Sequence, residues 1–126
     1  MRNAILSILL FIVIMFVVFF FNKSVLTLCD NIQATTDEIS LLLENNDFEN
    51  SYTLSLELLN SIESKHAITS TYLNHSDFDD LVNESVKLSL YILNEDIIEA
   101  QTSLNLVKYN TRHIKALQIP SIENIF

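Results

Sequence analysis

The hydrophobic pattern of the chain changes abruptly near residue 22. Residues 4–21 form a run of eighteen positions in which Ser7 is the only polar one. At about 1.5 Å of rise per residue, a helix of this length spans roughly 27 Å, close to the hydrocarbon thickness of a bilayer. The run therefore predicts a transmembrane helix. We assign residues 1–23 to a membrane anchor and residues 24–126 to an acidic helical domain.

Beyond the anchor, apolar residues recur every three or four positions in four successive segments, which polar clusters at residues 45–47, 74–77 and 94–96 separate. Asp47 and Asp77 are predicted to cap the second and third helices. The predicted inward positions are Val25, Leu28, Ile32, Thr35, Ile39 and Leu42; Phe48, Tyr52, Leu56, Leu59 and Ile62, extending toward Leu73; Phe78, Leu81, Val82, Ser85, Leu88 and Ile92; and Ile97, Ala100, Leu104, Val107, Thr111 and Ile114.

Composition supports an all-α fold. The 126 residues include no glycine, and the one proline is Pro120. Turn-rich β architectures usually need these residues at their corners. We therefore expect an N-terminal transmembrane helix followed by an antiparallel up-and-down bundle of about four helices, since short connections make sequential helices antiparallel neighbours. Whether residues 22–24 bend the first helix stays open.

An internal echo suggests a repeat. Residues 46–49 and 76–79 share the pattern polar-Asp-Phe-acid thirty residues apart, and residues 96–100 form a looser third copy. Helical repeats of tetratricopeptide type have a period of about thirty-four and small residues at packing positions, which this echo does not show. A simple bundle is the favoured interpretation, because helix starts commonly combine Asp, an apolar residue and an acid.

Charge limits the partners of the domain. The chain has seven basic and sixteen acidic residues, and its formal net charge is −9. Such an acidic surface disfavours nucleic acid and anionic lipid headgroups as partners. The expected partners are the lipid bilayer, through the N-terminal helix, and another membrane protein or a second copy of the chain.

Processing and orientation follow from the flanks of the apolar run. A cleaved signal peptide and a lipoprotein modified at Cys29 are both disfavoured, because Leu28 stands where a small residue is needed. Arg2 and the α-amino group precede the run, and Lys23 alone follows it closely. By the positive-inside rule we expect a single-pass protein of the cell membrane, with a cytoplasmic N-terminus and an extracytoplasmic bundle.

Residues with reactive side chains are few. His66, His75 and His113 do not show the i, i+4 spacing of a helical metal site, although Asp77 and other acids lie close to His75. No catalytic, cofactor-binding or metal site is predicted, and no enzyme activity is expected. Cys29 is the only cysteine, so an intramolecular disulfide is excluded. An intermolecular bridge and an unreactive helix residue both remain open for it.

Short motifs at residues 28–32, 72–78, 107–110, 113–114 and 123–126 give the chain a family resemblance. It resembles a domain-of-unknown-function family of small single-span membrane proteins from anaerobic spore-forming Firmicutes. The resemblance implies a bacterial envelope protein, encoded near multi-span membrane proteins and a partner of one of them in the cell or spore membrane. It implies no catalytic residue.

These observations favour a membrane-anchored helical interaction or scaffold subunit of a bacterial envelope complex. The alternative is an extracytoplasmic bundle that senses a small molecule through a membrane partner, with His66, Ser85 and Thr111 as positions where a pocket is expected. A metal-dependent enzyme built on His75, Asp77, Asp79 and His113 is the third and least favoured class.

Overall fold

The computed structural model describes residues 1–66 and 75–118, the side chain of His75 excepted. This part of the chain contains no strand and four helices, α1 (Arg2–Glu44), α2 (Phe48–Ser64), α3 (His75–Leu93) and α4 (Ile97–Gln118). The predicted all-α class and helix number are confirmed. The predicted extension of α2 toward Leu73 and the motif at residues 123–126 lie outside the described residues.

Helix α1 is continuous over 43 residues, which corresponds to a length of about 65 Å. No break occurs at residues 22–24, where the chain offers neither glycine nor proline to end the helix. Residues 1–20 are exposed on every side, and burial on one face begins at Val25. By length and composition, α1 is the one helix in residues 1–66 and 75–118 that is able to cross a membrane.

The four helices pack in a closed ring, in which α1 contacts α2 and α4, and α3 contacts the same two helices. Lys108 pairs with Asp37 at 3.3 Å and Lys115 pairs with Asp30 at 2.6 Å. Residue numbers rise along α4 as they fall along α1, so these helices are antiparallel. The up-and-down arrangement is therefore confirmed.

The inward face of α2 differs from the prediction. Ser51, Ser55 and Leu58 are buried beside Ile62, whereas Leu56 is 42% exposed. The predicted Phe48, Tyr52 and Val82 are half-buried and pack against the core, and Thr35, Leu42, Leu59 and Ile97 are also half-buried. The prediction was wrong for Leu56 and missed Ser51, Ser55 and Leu58, because it followed bulky apolar side chains, while close helix packing here places small serines inward.

Buried hydroxyl groups are a general property of this core. In residues 1–66 and 76–118, seven such residues are buried: Thr36, Ser51, Ser55, Ser85, Ser89, Ser103 and Thr111. Six of them, all except Ser103, donate to a backbone carbonyl three or four residues earlier in sequence, at 2.6–2.9 Å. Because such a hydroxyl satisfies its donor within its own turn of helix, it needs no partner across the core. The helices can therefore approach closely without leaving these donors unpaired.

The turns that follow α1 and α3 have the same geometry. Asn46 and Glu95 each have a φ of 56°. Asp47 and Asp96, which come next, each accept a hydrogen bond from the backbone N–H three residues on, at 3.1 and 3.3 Å. These turns lie 49 residues apart. We call α2 with the buried half of α1 (residues 25–44) the first hairpin, and α3 with α4 the second hairpin.

The 49-residue relation extends along the helices. Among the residues whose burial is described, nine pairs of buried positions share this separation. They are Cys29 and Phe78, Ile32 and Leu81, Thr36 and Ser85, Ile39 and Leu88, Leu43 and Ile92, Ser51 and Ala100, Ser55 and Leu104, Leu58 and Val107, and Ile62 and Thr111. The bundle is thus two copies of one helical hairpin.

The thirty-residue echo in the sequence is unrelated to this repeat. It aligns the cap of α2 with Asp77, which lies inside the first turn of α3 because that helix begins at His75. The prediction that Asp77 caps α3 is therefore wrong.

The repeated turn predicts a stability difference between its two central residues. Asparagine tolerates the left-handed conformation because its short polar side chain can hydrogen-bond to the local backbone, whereas the longer side chain of glutamate does not offset the steric cost in this way. We expect Glu95→Asn to raise the free energy of unfolding by about 0.5–1 kcal/mol, and the reciprocal Asn46→Glu to lower it by a similar amount. Urea unfolding of the full chain in detergent, followed by circular dichroism, measures both.

Glu95→Gln is the matched control, since it removes the charge but keeps the side-chain shape, and its stability should stay close to that of the unchanged protein. Equal gains from Glu95→Gln and Glu95→Asn would attribute the effect to charge instead of backbone conformation.

Candidate interaction surface

Large apolar side chains are exposed along the outside of the second hairpin. On α3 these side chains are spaced four and three residues apart. A helix turns by about 100° per residue, so those on α4 lie within about 80° of its circumference. We call these six residues the apolar face: Val86, Leu90, Leu93, Ile98, Leu106 and Tyr109, with exposed fractions between 36% and 73%. Leu93 and Ile98 flank the turn between the two helices.

The first hairpin has a different surface at the corresponding positions. Forty-nine residues earlier the chain has Asp37, Leu41, Glu44, Glu49, Glu57 and Asn60, all of them exposed. Where the first hairpin has four carboxylates, the second hairpin has Val86, Leu93, Ile98 and Leu106. Both hairpins bury the same inner positions, so the fold does not require this outer difference. Exposed apolar clusters of this kind mark interaction sites more often than bare surface.

Acidic groups lie at the turn end of the apolar face. The turn and the start of α4 carry Glu95, Asp96 and Glu99, and no basic residue occurs between Lys87 and Lys108. Lys87 is itself paired with Glu84 at 3.3 Å. A partner that covers this face therefore needs apolar side chains at its centre and Lys or Arg at its rim.

Comparison with protein families gives a match over most of the chain. The model of a family described as a domain of unknown function, DUF4363, matches residues 19–125. The chain belongs to the DUF4363 family. No curated protein and no solved structure matches the chain.

Histidines of this DUF4363 chain do not gather in the described part of the structure. His66 is exposed, and its ring centroid lies 5.2 Å from that of Phe78 at the start of α3. His113 is exposed on α4. Among the described side chains, no group of three or more His, Cys, Asp or Glu residues is arranged to hold a metal ion. The His75 side chain lies outside that set.

The positions predicted for a small-molecule pocket are also separate. Ser85 and Thr111 are fully buried, and their hydroxyls donate to the carbonyls of Leu81 and Val107 at 2.7 Å. His66 lies on the surface. Ser85 and Thr111 are therefore packing residues, and the three positions do not line a common site.

Cys29 is a free thiol on the inward face of α1 and is 2% exposed. The pKa of the Cys29 thiol is raised to about 11, chiefly by burial and also by the neighbouring Asp30 carboxylate, while the Lys115 ammonium acts in the opposite direction. The thiol is thus protonated and covered at neutral pH. An unreactive helix residue fits this environment, whereas an intermolecular disulfide would require the bundle to open.

The environment of Cys29 predicts its alkylation rate. A pKa near 11 in place of 9.0 lowers the thiolate fraction at pH 8 about a hundredfold. We expect iodoacetamide to modify Cys29 at least about a hundredfold more slowly in the folded chain than in urea, with the folded rate rising up to pH 11. Asp30→Asn should accelerate the reaction and Lys115→Gln should slow it, because these changes lower and raise the pKa respectively. Equal rates in folded and unfolded protein would contradict the buried position.

Proposed function

We propose that this protein is a non-catalytic, membrane-anchored interaction subunit of a bacterial envelope complex. In this proposal the apolar part of α1 spans the membrane, and the bundle binds another envelope protein through the apolar face of the second hairpin. The observation that carries the proposal is the continuity of α1, whose first part is apolar on all sides and whose second part is one wall of the bundle.

Exposure around α1 supports the membrane assignment. Leu10, Phe11, Ile12 and Val13 follow one another directly and are 45–64% exposed, so apolar side chains point in every direction around the axis. A protein partner would cover one side of such a helix, whereas lipid covers all sides. The helix also has the length that a bilayer requires.

Charges near the ends of the span support one orientation. Arg2 and the α-amino group lie on one side, against Lys23 on the other. The positive-inside rule then favours a cytoplasmic N-terminus and an extracytoplasmic bundle. In this orientation the apolar face stands outside the cytoplasm, where another membrane protein is accessible to it.

Electrostatics favour a different protein over a second copy as the partner. Each chain carries a formal charge of −9, and acidic groups lie at the turn end of the apolar face. Two such faces repel each other, whereas a basic rim on a partner is attracted. The partner we infer is therefore an envelope protein with an apolar groove bordered by Lys or Arg.

The test is to give the second hairpin the residues of the first. Leu93→Glu and Ile98→Glu reproduce Glu44 and Glu49 at the corresponding positions. The full chain is extracted from its native membranes in mild detergent, crosslinked and purified. We expect the unchanged chain to carry a defined membrane partner and the double variant to lose at least about 90% of it, because two apolar anchors are lost.

Leu41→Glu with Leu56→Glu is the matched control, since these leucines are 61% and 42% exposed on the first hairpin. This control should keep the partner, and circular dichroism should show both variants folded. Recovery of a free monomer from unchanged membranes, or equal loss in both variants, would overturn the proposal.

A further inference from the structure

A cavity of about 410 Å³ lies between α1 and the end of α2. Phe20, at the end of the apolar run, forms part of its wall, together with Lys23, Thr27 and Asn31 from α1 and Lys65 beyond α2. Its volume falls within the range of small-molecule sites. We call it the basal groove, because it lies at the end of the bundle next to the apolar part of α1.

Charge in the basal groove is opposite to that of the rest of the domain. Residues 24–64 contain no basic side chain, and the lysines that flank this stretch, Lys23 and Lys65, both line the groove. None of the described lining residues is acidic, although the chain has sixteen acids. Both lysines therefore line a cavity whose described wall residues include no carboxylate.

Neutral donors accompany the lysines. Lys23, Thr27 and Asn31 recur every four residues, which places them along one line of α1. Within the described residues, the Thr27 hydroxyl and the Asn31 amide donate to no protein group, whereas the hydroxyls of Ser61 and Ser64 on α2 donate to carbonyls of their own helix at 2.9 Å. The groove thus presents cationic, hydroxyl and amide donors together.

We propose that the basal groove binds the phosphate of an anionic phospholipid headgroup. Phosphate oxygens accept from ammonium, hydroxyl and amide donors such as those that line the groove. The inference rests on the proposed membrane span, because Phe20 then lies at the hydrocarbon boundary and the lysines lie at the depth of lipid phosphates. Inorganic phosphate shares this chemistry, but the apolar wall at Phe20 suits the glycerol and acyl parts of a lipid.

Such binding is a local exception to the acidic surface, which repels anionic headgroups elsewhere. A headgroup held between α1 and α2 opposes tilting of α1 and its bundle relative to the membrane. The apolar face of the second hairpin then keeps one direction relative to the membrane plane.

The test uses the full chain in detergent and native mass spectrometry, with phosphatidylglycerol and phosphatidylcholine as competing lipids. We expect preferential retention of phosphatidylglycerol, weakened about fivefold by Lys23→Gln and about fivefold by Lys65→Gln, as expected for one lysine near an anionic surface. Lys87→Gln, the matched control on α3, should leave retention unchanged. Equal retention of the two lipids, or equal loss with Lys87→Gln, would overturn the inference.

Two further arms separate the possible explanations. Titration with inorganic phosphate, followed by NMR of labelled Lys23 and Lys65, should show no saturable binding at concentrations where the lipid binds. Saturable binding would identify free phosphate, instead of a lipid, as the ligand of the groove. Alkaline extraction of membranes tests the span itself, and the unchanged chain and the Lys23→Gln/Lys65→Gln variant should both stay in the membrane. Release of both proteins would refute the span, whereas retention without lipid preference would refute the groove alone.

Discussion

The backbone hydrogen bonds of α1 continue from the apolar segment into the bundle. The position of the bundle relative to the apolar segment depends on this continuity. Residues 22–24 contain no residue that stops a helix, so the turn between the two environments forms like any other. As far as the described residues show, the first part of α1 is exposed on every side, while the second part contacts α2 and α4. With the proposed span in a bilayer, the bundle is held at a fixed height, and the basal groove necessarily lies at the membrane surface.

The bundle combines an inner repeat with an outer difference. Two hairpins share a turn, a capping aspartate and nine pairs of buried positions, which explains how a chain without glycine forms a closed core. Serine and threonine keep the helices close, because their hydroxyls are satisfied within their own helix. The outer surfaces are free of this constraint, and they differ: the first hairpin is acidic where the second is apolar. This difference is the strongest structural argument for a docking role.

The sequence predicted the four helices and the two short turns because Asn and Asp clusters separate clear three-to-four spacings. It did not predict the inward face of α2, because Ser51 and Ser55 stand among larger apolar residues in the sequence, and the spacing of those larger residues favours them as the inward positions. The hairpin repeat was also missed, although Asn45 and Asp47 recur as Asn94 and Asp96 and carry the signal. The apolar face has the same spacing as core positions, so only the exposure of Leu90 and Leu93 in the structure identifies them as surface residues. The basal groove depends on Lys23 and Lys65, which are distant in sequence and line the same cavity only in the folded chain.

The continuity of α1 is tested most directly by a distance along its axis. Spin labels at Ser7 and Glu38, introduced with Cys29 replaced by Ala, are separated by 31 residues and by about 46 Å in one unbroken helix. Pulsed electron paramagnetic resonance of the labelled chain in lipid nanodiscs should give a single narrow distribution near that distance. A shorter or broad distribution would show that the chain bends or unwinds at residues 22–24, and would contradict a bundle held rigidly on the apolar part of α1.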